Sequence, residues 1–123
     1  MKIILTPNAP APIGPYSQAV LSNGMLYCSG QIAINPDTGE FEYGGIEAQT
    51  RRVCENLSAL LKAAGLGFEN VVKTTCFLTS MEDFSVFNTV YAGYFTSNPA
   101  RSCVAVKELP KGGLIEIEVI AEV

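Results

Sequence analysis

The stretch NPARSCVAVKELPKGGLIEIEVIA, Asn98 to Ala121, decides how the end of this chain is built. Arg101–Lys107 and the run from Leu114 to Val123 are apolar and β-branched, as strands are. Between them, Leu109-Pro110-Lys111-Gly112-Gly113 carries the proline and glycines of a turn. The expectation is a β-hairpin. With its turn centred near Pro110-Lys111, Cys103 falls opposite Glu118 and Ala105 opposite Glu116. Arg101, Cys103, Glu116 and Glu118 then share one sheet face. A slip of one residue would reverse that assignment. Two readings of the charges stand side by side. One is a cross-strand Arg–Glu pair on a solvated face, worth about 0.2–1 kcal/mol. The other is a guanidinium that grips a carboxylate ligand, with a glutamate handling protons or water beside it.

On the last strand Ile115, Ile117, Val119, Ala121 and Val123 form one face, and Glu116, Glu118, Ile120 and Glu122 the other. The second face is neither wholly apolar nor wholly polar, which suits self-association through the sheet.

Upstream, Ser80-Met81-Glu82-Asp83 has the form of a capping box with Asp in place of Glu. Phe84, Phe87, Tyr91, Tyr94 and Phe95 follow at helical spacing, an aromatic stripe suited to core packing rather than base stacking, and Pro99 closes the helix. Val71–Thr79 reads as a strand with Val72, Thr74, Cys76 and Leu78 on one face. Between Gly45 and Ala64 the residues Ile46, Val53, Leu57, Leu60, Leu61 and Ala64 mark a helix that Gly65 stops. Asn23-Gly24 joins strand-like residues 17–22 and 25–29, the sequence of a type I′ hairpin turn. Gln31–Ile34 reads as a further short strand before the turn at Asn35–Gly39, and residues 1–15, with four prolines, as extended and irregular. This order of elements predicts an α+β fold, a mainly antiparallel sheet with two helices on one face, in a single domain over residues 1–123.

Composition narrows the chemistry. The 123 residues are 48% hydrophobic, which disfavours disorder, and carry a net charge of −4, which disfavours binding to a phosphate backbone. No segment approaches the roughly 20 apolar residues that span a bilayer. The opening Met-Lys-Ile-Ile-Leu-Thr-Pro breaks too soon for a signal peptide, so the expected location is cytoplasmic. Cys28, Cys54, Cys76 and Cys103 are too widely spaced for a CxxC motif and read as buried, reduced thiols. There is no histidine. That excludes a Ser-His-Asp triad, a Cys-His dyad, HExxH zinc chemistry and histidine acid–base catalysis.

Other positions say less. Gly14-Pro15 sets a turn just before a strand, and Tyr16 stands at its edge, where a tyrosine packs at a strand end. Gly30 marks either a β-bulge or a backbone close to a ligand. Asn88 is uninformative by itself.

Together GPYSQA, SGQIAINPDTGE, QTRRVCENLSALLKAAG, VVKTTCFL, FNTVYAGYF and PARSCVAVKELPKGGLIEIEVIA resemble the RidA/YjgF family of reactive-intermediate deaminases over nearly the whole chain. The resemblance implies a chorismate-mutase-like α+β fold and a homotrimer with pockets between subunits. It implies hydrolysis of 2-imino acids and their enamine tautomers, such as 2-iminopropanoate and 2-iminobutanoate, to 2-keto acids and ammonia. It implies no metal or cofactor, and a functional link to the PLP-dependent dehydratases that release such substrates. By position, Arg101 would bind the substrate carboxylate and Glu116 would position or activate water. Tyr16 and Asn88 would line the pocket. Gly30 would offer its carbonyl to the imine nitrogen and Cys103 its backbone N–H to the carboxylate. Three alternatives remain on the same fold: a ligand-binding regulatory or chaperone-like module, a translation inhibitor with ribonuclease activity, and a chorismate mutase. The last would need more cations than Arg101 and Lys107 supply.

Overall fold

A computed structural model of the protein describes residues 1–123. Six strands, β1 (Lys2–Ile4), β2 (Ala19–Ser22), β3 (Met25–Gln31), β4 (Val71–Leu78), β5 (Ala100–Ala105) and β6 (Ile115–Glu122), form one sheet in the order β1-β2-β3-β6-β4-β5. Two helices, α1 (Ile46–Ala63) and α2 (Phe84–Tyr94), complete an α+β fold.

The local signals act where the chemistry says they should. Asn23 and Gly24 take φ of 51° and 76°, the left-handed pair that a tight β2–β3 turn needs. Helix α1 ends where Gly65, at φ 76°, turns the chain, and the Leu66 N–H returns to the Leu61 carbonyl at 2.8 Å. The core is one cluster of 21 buried residues. Val53, Leu57, Leu60 and Leu61 of α1 and the Phe87–Tyr91–Phe95 part of the aromatic stripe pack on Ile115, Ile117, Val119 and Ala121 of β6. Val123 leaves that face and is 70% exposed.

The C-terminal hairpin does not form. β4 lies between β5 and β6, parallel to β5 and antiparallel to β6. Cys103 pairs with Cys76 rather than facing Glu118, while Glu118 pairs with Thr75 and Glu116 with Phe77. The reason is topological. Helix α2 between β4 and β5 is a crossover connection, which brings two strands together in parallel. β5 becomes the outermost strand and β6 a central one.

Smaller corrections follow the same logic. Residues 2–4 of the proline-rich start add an edge strand to β2. Gln31–Ile34 is not a separate strand, since Gln31 ends β3 and Ile34 makes a single bridge to Phe41. In β4 a register irregularity between Val71 and Lys73 turns Val71, not Val72, into the core. The Ser80 hydroxyl accepts from the Glu82 N–H at 3.2 Å over a 3₁₀ turn, and Asp83 makes no capping hydrogen bond.

Candidate functional site

Five of the residues singled out by sequence divide between two clefts on opposite sides of the sheet, and Cys103 lines neither. The first, of about 440 Å³, is lined by Tyr16, Gly30 and Glu116, with Ile13, Ile32 and Pro110 among its apolar walls. The second, of about 390 Å³, is lined by Asn88, Tyr91 and Arg101 at the junction of α2 and β5. The expected shared face of Arg101 and Glu116 is therefore overturned. Arg101 pairs with buried Thr74, whose side chain meets α2, whereas Glu116 alternates with the buried Ile115 and Ile117 and projects from the other surface.

Buried amides fix the walls of the Glu116 cleft. Gln18 is 1% exposed; its Nε2 donates to the carbonyls of Thr6, Ala9 and Pro10 at 3.0, 3.2 and 2.9 Å, and its Oε1 accepts from the Thr6 N–H at 2.8 Å. It pins the proline-rich segment that an extended chain could not hold by itself. Asn56, fully buried in α1, donates to the carbonyls of Ile32 and Ile34 at 3.2 and 2.9 Å. Gln49 accepts from the Leu114 N–H at 2.9 Å, just before β6. Sequence reasoning missed all three. Their only signal is a polar residue inside an otherwise apolar stretch, and its partners lie far along the chain.

The bulge reading of Gly30 holds, and a side chain approaches its backbone closely. The β3–β6 register shifts between Cys28 and Gln31, so a bulge is present. A Cβ on Gly30 would also overlap the Glu116 carboxylate. The glycine lets that carboxylate lie against the β3 backbone. Burial, and secondarily the charge of Glu118, raises the Glu116 pKa above the ordinary carboxylate value. Glu118 itself is exposed.

Arg101 has no carboxylate partner. The ion pair in the chain is Arg51–Glu47 at 3.9 Å, an exposed i,i+4 contact on α1. Instead Arg101 Nη1 donates to Asn88 Oδ1 at 2.7 Å. Its Cζ lies 4.7 Å from the Tyr91 ring centroid, 5.6 Å from that of Phe84 and 5.9 Å from that of Phe87. The surface-salt-bridge reading is thus excluded. A cation stacked on rings and bonded to a neutral amide keeps its charge uncompensated, ready for an anion.

Cys103 is half-buried two residues beyond Arg101. Burial raises its thiol pKa against the opposing pull of Arg101, so the thiol stays protonated at neutral pH. Cys28, Cys54 and Cys76 are buried, and burial pushes Cys28 and Cys76 up to about 12.

A family model described as "Endoribonuclease L-PSP" matches residues 6–123. A bovine protein named 2-iminobutanoate/2-iminopropanoate deaminase is 50% identical over 121 residues, covering 98% of this chain and 88% of that protein. The crystal structure of the Escherichia coli YjgF gene product superposes with a TM-score of 0.93 at 46% identity, covering 99% of this chain and 98% of that one. The chain belongs to the RidA/YjgF family. Names within RidA/YjgF differ. A Lactococcus lactis relative named as regulator AldR is 57% identical over 124 residues, 100% of this chain and 98% of that protein. RidA/YjgF membership therefore gives the fold, and the reaction has to be argued from the clefts. No helix is long and apolar enough to cross a membrane.

Proposed function

We propose that this chain, as a single RidA-like domain, hydrolyses 2-imino acids and their enamine tautomers, of the 2-iminopropanoate and 2-iminobutanoate kind, to 2-keto acids and ammonia. The observation that carries the reading is the carboxylate-free guanidinium of Arg101, oriented by rings and by Asn88 at the edge of a cleft. A planar cation of this kind suits a planar 2-imino carboxylate.

The chemistry asks little more of the protein. A protonated imine is already electrophilic, so an oriented water can attack C2 directly. A C–O bond forms, the C–N bond of the resulting carbinolamine breaks, and ammonia leaves as the 2-keto acid forms. Glu116, with its raised pKa, accepts a proton from the attacking water and returns it to the departing nitrogen. Gly30 offers its carbonyl to the imine N–H, Cys103 its backbone N–H to the carboxylate, and Tyr16 and Asn88 wall the pocket. The cysteine thiol takes no covalent part, and the scheme uses no metal or cofactor.

Arg101 and Glu116 serve opposite clefts of one chain. A complete site then needs the Arg101 side of one copy against the Glu116 side of another, which favours a homotrimer with intersubunit pockets. The mixed outer face of β6 and the unpaired edge of β5 are available for such contacts. The substrate would come from PLP-dependent dehydratases in the cytoplasm.

The test is turnover coupled to such a dehydratase, following 2-oxobutanoate. No acceleration over buffer by the wild-type protein would sink the proposal. The family description favours a second reading, ribonuclease-linked regulation. The net charge of −4 and the lack of histidine oppose it. RNA cleavage that survives purification and disappears in Arg101→Ala and Glu116→Gln would favour that reading.

A further inference from the structure

Thr74 on β4 and Tyr91 on α2 carry no role in the scheme above, yet both stand directly beside Arg101. Thr74 is its register partner on β4 and is fully buried. The Thr74 hydroxyl and the Tyr91 phenol share a hydrogen bond of 2.8 Å. The Cys76 thiol donates to the same Thr74 oxygen at 3.9 Å. The Tyr91 ring, 7% exposed, is stacked on Phe95 at 4.3 Å and lies nearest the guanidinium of the three rings around it. A ring fixed on one side by stacking and at its tip by a hydrogen bond presents one face in one orientation.

We propose that Tyr91 is a positioning residue for Arg101, and that its hydrogen bond to Thr74 sets the plane in which the guanidinium meets a carboxylate. The inference rests on Arg101 as the carboxylate anchor. Asn88 fixes the guanidinium at Nη1; Tyr91 fixes its tilt. With both in place, the remaining N–H edge is already aimed when the ligand arrives, and little rotamer entropy is lost on binding.

The experiment compares 2-oxobutanoate affinity by calorimetry with KM and kcat in coupled turnover. Tyr91→Phe and Thr74→Val are expected to raise Kd and KM roughly three- to tenfold with kcat little changed, and Thr74→Ser to restore both. A purely structural role would lower Tm without this split. The inference is overturned if Tyr91→Phe binds as wild type while Arg101→Ala loses binding, or if Thr74→Ser is as impaired as Thr74→Val. Should Thr74→Val not fold, Tyr91→Phe, which removes one oxygen and keeps the ring, decides by itself. If Arg101→Ala binds 2-oxobutanoate normally, the anchor reading fails and takes this inference with it.

Discussion

Arg101 and Glu116 lie on opposite surfaces of the same sheet, Arg101 toward α2 beside Thr74 and Glu116 away from the helices against Gly30. A single chain cannot bring them to one substrate. Each should be indispensable, and each should be supplied by a different copy. Arg101→Ala is expected to lower kcat/KM by roughly a hundredfold, with Arg101→Lys no substitute because an ammonium neither stacks nor grips bidentately. Mixing refolded Arg101→Ala with Glu116→Gln subunits should recover about a quarter of the wild-type rate, since random pairing leaves that share of intersubunit sites intact. Mixtures as inactive as their components would mean that the two residues do not meet across an interface.

Glu116 gives a pH dependence of definite sign. Burial raises its folded-state pKa above the unfolded value of 4.5. Between those two values the folded state holds the proton more tightly, so stability falls as pH rises through that window and stays lower above it. Glu116→Gln should remove this loss and unfold at higher urea concentration than wild type at neutral pH. In turnover the wild-type rate should fall as pH drops through the raised pKa, and the variant, already slow, should show no such limb.

Gly30 separates fold from function. Its backbone is not in the left-handed region, so alanine is conformationally allowed, but the new methyl would overlap the Glu116 carboxylate. The end of a glutamate side chain can swing aside. Gly30→Ala should therefore melt within a few degrees of wild type while losing most activity. A variant with full activity would show that the position of that carboxylate does not matter.

Asn56→Ala should weaken the fold and the cleft together. Its amide donates to the loop carbonyls of Ile32, which also accepts from the Ile34 N–H at 2.9 Å, and of Ile34. Leaving the Ile34 carbonyl without this donor costs about 1–3 kcal/mol. Urea unfolding measures the loss, and crystallography of the variant should show the wall at Ile32 displaced.

Cys103→Ser tests the thiol. Raised by burial, the thiol is not a ready nucleophile, and its proposed contribution is a backbone N–H. The serine variant should keep activity within about threefold of wild type, as a conservative, volume-matched change usually does. Loss of turnover with an unchanged melting curve would return the sulfur to the mechanism.

What the sequence determined was local. Asn23-Gly24 could make only a left-handed turn at low cost, Gly65 could stop α1, and the spacing of Phe87, Tyr91 and Phe95 placed them on one helix face turned to the core. Those features depend on a few consecutive residues and their own torsions. The pairing of strands did not. Arg101–Lys107 and Leu114–Val123 look like hairpin partners because they are neighbours in the chain, but the α2 crossover inserts β4 between them. A strand–helix–strand run was visible around α2, and parallel pairing of β4 with β5 could have been drawn from it. Tertiary packing decided between that pairing and the hairpin, because sheet order is settled by which arrangement buries the α1 and α2 faces and the alternate residues of β6 at once. With that order came the face of every side chain on β5 and β6. It put Arg101 on aromatic rings and Glu116 on a glycine, on opposite surfaces of one sheet.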